Sequence, residues 1–133
     1  MTALRVLVVE DDALLGMYLA EMLIGMGYDI CAVVGTEADA VTAAVQHGPA
    51  LMIVDARLRE GSGIAAVAEI LRSWPIPHVF VSGDVASVQA QMPGAVVLRK
   101  PFRESELAAA IQRACDPKTI AQSKGLTARR QKS

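Results

Sequence analysis

The chain has 133 residues, of which 53% are hydrophobic and only 4% aromatic, and its formal net charge is −1. That length suits one domain with a core of Val, Leu, Ile, Ala and Met, needing neither disulfides nor structural metal. No apolar run approaches the roughly 18 residues that cross a bilayer, and the start Met1-Thr2-Ala3-Leu4-Arg5 lacks the order of a signal peptide, so a cytoplasmic protein without membrane contact is expected.

Strand-like apolar runs alternate with helical patterns along the chain. Residues 4–9 are apolar apart from Arg5, as in a strand covered on both faces. Asp12 is placed to cap a helix whose inward face is Leu15, Leu19, Met22, Leu23 and Met26, ended by Gly25 and Gly27. Residues 28–34 are the second strand, and Thr36 caps a helix over 37–47 that Gly48-Pro49 closes. A short third strand, 51–54, ends at Asp55, followed by a polar loop with Arg57, Arg59, Glu60 and Gly61. Ile64, Val67, Ala68 and Leu71 mark a third helix before Pro75, and 78–81 and 95–98 are the last two strands. Between them 84–91 is helical until Met92-Pro93-Gly94 cuts it short; 105–115 is the last helix, with Leu107, Ile111 and Ala114 inward. Five strands alternating with five helices specify a βα-repeat protein with a parallel sheet and a brief fourth helix.

Cys31 and Cys115 form no CxxC pair and read as small buried hydrophobes; His47 and His78 stand alone and are assigned no function. Residues 116–133 carry five basic residues against Asp116, so this stretch is +4 and the rest of the chain −5. Its polar composition predicts a mobile, solvated tail after a domain over 1–115. No helix-turn-helix pair, zinc ligand set or aromatic-basic platform suggests a DNA-binding domain.

Four segments share one property: Glu10-Asp11-Asp12, Asp55, Ser82-Gly83 and Lys100-Pro101-Phe102 each follow an apolar strand-like run. In an open parallel sheet the carboxyl ends of the strands are where ligands bind. Acids, a hydroxyl and a lysine gathered there suit a divalent cation and a phosphoryl group. Asp11 and Asp55 suit direct coordination of Mg²⁺ and Glu10 an outer role; a carboxylate can also attack phosphorus to form an acyl phosphate. Lys100 can balance developing negative charge and Ser82 can donate to a phosphoryl oxygen. Each segment alone has an ordinary reading: the acidic triplet as helix-capping residues, Asp55 as a loop acid, Ser82-Gly83 as a turn. The order of all four is what carries the inference.

As a set, these segments make residues 4–115 resemble the receiver domain of response regulators, the family of the chemotaxis protein CheY. The matching pieces are VLVVEDD, LMIVD, Gly63 eight positions after Asp55, the strand end at Ser82, and KPF at 100–102. The resemblance implies a doubly wound five-stranded sheet of order 2-1-3-4-5. It makes Asp55 the acceptor of a phosphoryl group from a sensor histidine kinase or histidine phosphotransfer protein, in a Mg²⁺-dependent reaction. Glu10, Asp11 and Asp55, with the backbone carbonyl of Arg57, would hold the metal. Ser82 would be the switch hydroxyl and Lys100 the charge partner, with a cis bond to Pro101. Such a protein is no enzyme beyond turning over its own phosphoryl group; it signals by altered binding to a downstream protein, and homodimerisation is open to it.

The chain departs from that family in three places. Val97 stands where an aromatic switch residue is usual, three positions before Lys100; Arg59 stands where proline is common; and 18 positions from Ser82 to Lys100 is a short interval. A phosphorylation-independent binding module is therefore a second reading. An aspartyl-phosphate phosphatase is a third, but it needs a general acid two positions after Asp55, where this chain has Arg57.

Overall fold

The computed structural model describes residues 3–119. Its elements run β1 (Arg5–Val9), α1 (Ala13–Gly25), β2 (Asp29–Val34), α2 (Glu37–His47), β3 (Leu51–Asp55), α3 (Gly63–Leu71), β4 (His78–Ser82), α4 (Val85–Gln91), β5 (Val97–Arg99) and α5 (Glu104–Ala114). The strands form one parallel sheet in the order β2-β1-β3-β4-β5, as expected. Of the expected tail, residues 120–133 lie outside the described residues.

Strand side chains alternate between the two faces, so continuous apolar strands need cover on both. Leu7, Val9, Met52, Val54 and Phe80 pack on one face with Ala40, Ala43 and Ala44 of α2, Ala66, Val67 and Ile70 of α3, and Val88 of α4. Val6, Val8, Leu51, Ile53, Val79, Val81 and Leu98 pack on the other, against Leu19 and Leu23 of α1 and Leu107, Ala110, Ile111 and Ala114 of α5. Full burial of each such Val, Leu or Ile contributes about 1.5–3 kcal/mol relative to exposure. The alanine stripe of α2 lets that helix lie close to the sheet.

Helix termini follow their sequence signals. Asp12, Thr36, Ser62 and Asp84 each cap a helix with a side-chain oxygen, and Gly48, at φ 53°, closes α2 in the left-handed region. The fourth helix is short as predicted, with seven residues ending before Pro93.

Several boundaries and faces differ from expectation. Tyr28 is not in β2, because its N–H still bonds the Leu23 carbonyl at the end of α1. Ala95 is not in β5, because its N–H turns back to Met92. In α1, Leu15 is 47% exposed and Gly16 takes the buried place. A Cβ on Gly16 would stand 3.0 Å from Val33 Cγ1, a tight approach that a larger residue could make only if Val33 gave way. In α3, Ala68 is exposed while Gly63, Ala66, Val67 and Ile70 face inward. Both cysteines are free and half-buried rather than buried. Cys31 sits where the β1–β2 register slips, with its thiol donating to the Val6 carbonyl at 3.3 Å.

Candidate functional site

Register brings the predicted site residues to one edge of the sheet. Val9 pairs with Val54, Asp55 with Val81, and Ser82 with Arg99, so the residues at or just after these positions share one level. Glu10 follows β1, Asp55 ends β3, Ser82 ends β4 and Lys100 follows β5. Gly63 lets the start of α3 lie against the end of β3, because a Cβ there would overlap the carbonyl oxygen of Asp55. The Lys100–Pro101 peptide is cis.

Glu10 and Asp55 are both buried, with relative exposures of 7% and 8%. Lys100 spans them: its Nζ donates to Asp55 Oδ2 at 2.8 Å and lies 3.5 Å from Glu10 Oε1. The second Asp55 oxygen accepts the Arg57 N–H at 3.1 Å. Asp11 Oδ2 accepts the Arg59 N–H at 2.8 Å, with the Arg59 Nε 3.7 Å away. Asp12 parts from its two neighbours, since its Oδ1 accepts from Leu14 and Leu15 at the start of α1. The acidic triplet thus divides into one capping residue, as expected of Asp12, and two acids that stay with Asp55.

Carboxylate oxygens of Glu10, Asp11 and Asp55 lie within 4.8 Å of one another. This all-oxygen, densely negative set fits a hard divalent cation such as Mg²⁺. Burial pushes the Glu10 carboxyl up to about 7; an Asp12 N–H opposes the rise, and the Asp55 charge adds to it. Burial acts upward on Asp11 too, but the Arg59 N–H and further hydrogen bonds outweigh it and hold that group below its ordinary value. Lys100 moves up: desolvation works against its charge, and hydrogen bonding and attraction from Asp55, then Glu10, prevail. Lysine is therefore held charged against two acids.

Above Asp55 an open cleft of about 420 Å³ is lined by Asp55, Arg57, Ser82, Gly83, Asp84 and Lys100. Ser82 Oγ there accepts the Asp84 N–H at 2.9 Å. Of the predicted site residues, Asp55, Arg57, Ser82 and Lys100 line this opening, while Glu10 and Asp11 are gathered beside Asp55. Sequence reading missed two contacts: the Arg59 hold on Asp11, and Glu37, whose Oε1 accepts the Ser62 N–H at 2.9 Å beneath the site loop. No local pattern marks Glu37, because its partner is 25 residues away.

A doubly wound parallel sheet with acids, a hydroxyl and a lysine at its carboxyl edge is the architecture of a receiver domain. Residues 6–112 match the response regulator receiver domain, and the chain belongs to that family. Over 112 residues it is 38% identical to the transcriptional regulatory protein PdtaR of Mycobacterium tuberculosis, covering 81% of this chain and 55% of PdtaR. It is 29% identical to the phyllosphere-induced regulator PhyR of Methylorubrum extorquens, covering 84% of this chain and 43% of PhyR. Among solved structures, the receiver domain of Erythrobacter litoralis PhyR superimposes with a TM-score of 0.78 at 30% identity, over 86% of this chain and 91% of that one. The chain spans about half the length of the regulators it matches. Among the described residues no helix is long and apolar enough to cross a membrane.

Proposed function

We propose that this receiver accepts a phosphoryl group on Asp55 from a histidine kinase or histidine phosphotransfer protein, with Mg²⁺ as cofactor. The observation that carries the reading is the Asp55 carboxylate, buried at the floor of an open cleft and ion-paired to Lys100 at 2.8 Å. An Asp55 oxygen attacks phosphorus, the bond from phosphorus to the donor imidazole nitrogen breaks, and the imidazole leaves with the electron pair and takes a proton from solvent. Lys100 stabilises the negative charge and Ser82 offers a hydroxyl to a phosphoryl oxygen. Glu10, Asp11, Asp55 and the Arg57 carbonyl would hold the Mg²⁺, which supplies positive charge among the acids and phosphoryl oxygens.

The α1 helix offers the donor protein a surface. Leu14, Leu15, Met17, Tyr18 and Ile24 on it are each at least 47% exposed, and the helix starts at Asp12, next to the site. A phosphorylated form acting in the cytoplasm through altered protein binding fits the rest of the molecule. With Val97 in place of an aromatic, the route outward would run from Ser82 to Asp84, the cap of α4. Turning the Ser82 hydroxyl toward a phosphoryl group removes the acceptor for the Asp84 N–H and loosens that cap.

Phosphate uptake from acetyl phosphate, with and without Mg²⁺, tests the reading. Labelling that needs Mg²⁺ and is lost in Asp55→Asn is expected; a variant that labels as well as the parent would refute it.

A further inference from the structure

We propose that Glu37 is a positioning residue for the metal-binding half of the site, a role that rests on the Asp55–Mg²⁺ reading above. Glu37 is the first residue of α2 and plays no part in the chemistry just described. Its contacts reach out of the helix. Its N–H donates to the Glu60 carbonyl at 3.2 Å, and its Oε1 accepts the Ser62 N–H at 2.9 Å. Between those two points lies Gly61, at φ 85°, whose Cβ would fall 2.5 Å from Glu37 Cβ and 2.6 Å from its Oε1. Glu37 therefore grips the turn 60–62 from both sides, and the turn has given up a side chain to admit it.

That turn belongs to the loop that serves the acids. Arg57 pairs with Ser62 across the loop base, and the Arg57 N–H bonds Asp55 Oδ1. Arg59, next to the gripped Glu60, gives its N–H to Asp11 Oδ2 at 2.8 Å. Leu58 anchors the loop in the core, but Arg59, Glu60 and Gly61 are exposed. Glu37 is thus what fixes the exposed tip, and through it the Arg59 N–H that holds Asp11. A favourable charge at the start of α2 does not account for the residue, because an aspartate supplies that charge equally. Only the longer side chain reaches Ser62. Residues that orient the ligands of a metal without touching it typically change affinity by about 10–100-fold when replaced.

The test uses the full chain and two substitutions that both keep a polar residue at the helix start. Glu37→Asp retains the charge and loses the reach; Glu37→Gln loses the charge and retains an oxygen acceptor for Ser62. Three quantities are read: Mg²⁺ affinity by calorimetry, the Mg²⁺ dependence of labelling by acetyl phosphate, and the Arg59 amide resonance. For Glu37→Asp, Mg²⁺ affinity should fall about tenfold and half-saturating Mg²⁺ for labelling should rise equally. Its labelling rate at saturating Mg²⁺ should stay within about twofold of the parent, because the acceptor itself is untouched, and the Arg59 resonance should move. Glu37→Gln should match the parent in all three. Parent-like behaviour of Glu37→Asp would overturn the proposal, as would equal damage in the two variants. If the parent neither binds Mg²⁺ nor labels, the underlying reading fails instead, and the Arg59 resonance alone still decides whether Glu37 holds the loop.

Discussion

The two ends of the cleft are built on different principles. On the acid side, Glu10 follows β1 and Asp55 ends β3, strands whose inner residues are completely or almost completely buried, and Lys100 reaches the two acids across 90 and 45 residues of sequence. On the other side lie the three-residue β5, the seven-residue α4 and a half-buried Val97. There the side-chain hydrogen bonds are local: Asp84 N–H to Ser82, and Ser87 N–H to Asp84, spans of two and three residues. Groups that must react are fixed by sheet register, which no small displacement alters. The corner beside them is held by bonds that one rotating hydroxyl can exchange.

Two glycines put that contrast to the strongest test. A methyl group at Gly63 would overlap the Asp55 carbonyl, whereas one at Gly83 meets nothing within 4 Å. Gly63→Ala should cost about 2–3 kcal/mol in denaturant unfolding and sharply slow labelling, because β3 must shift to admit the Cβ. Gly83→Ala should stay within about 0.5 kcal/mol. Equal tolerance at both positions would show that the acid side is as yielding as the corner.

A smaller effect concerns pH. With Glu10 raised from 4.5 to about 7, the folded protein binds the proton more tightly than the unfolded chain. Stability should therefore fall as pH rises from about 4.5 to about 7. His78 works in the opposite sense: burial lowers its value below 6.5, against a hydrogen bond to the Ile76 carbonyl, so its contribution grows as pH rises toward 6.5. Glu10→Gln removes the first slope and keeps the second. In chelator, urea midpoints at pH 5 and pH 8 should show the variant gaining about 1–2 kcal/mol relative to the parent at the higher pH, screening by Lys100 and the open cleft included. A difference that is flat with pH would mean that Glu10 keeps its charge without cost.

How far sequence reached follows the same division. The strand ends at Glu10, Asp55, Ser82 and Lys100 were legible because a short apolar run that stops at polar residues marks a strand covered on both faces and gives it a sharp end. Helical period was weaker: it put Leu15 on the inward face of α1, where Gly16 is buried beside Val33 and Leu15 is 47% exposed. The cap signal served better: Asp12 does turn to its own helix, apart from Glu10 and Asp11. Neither the Glu37–Ser62 bond nor the Arg59 hold on Asp11 had a local signature, since they join segments 25 and 48 residues apart. Long-range polar contacts between loops are set by the finished fold.

The smallest effect falls on the corner itself. Asp84 caps α4 by accepting the Ser87 N–H at 3.1 Å, and its own N–H is held by Ser82. Asp84→Ala removes the first bond and leaves the second, at a cost of about 1 kcal/mol. Helix α4 has only seven residues and one buried side chain, Val88, so little else holds it in place. If the route outward passes through this cap, the variant should still label at the parental rate, since Asp84 only borders the cleft. Its amide resonances over 85–91 should then sit closer, before any treatment, to the positions the parent reaches on adding beryllofluoride. Resonances that start at the parent's positions and move just as far would place the relay elsewhere, and Val97 would be the next residue to replace, with tyrosine.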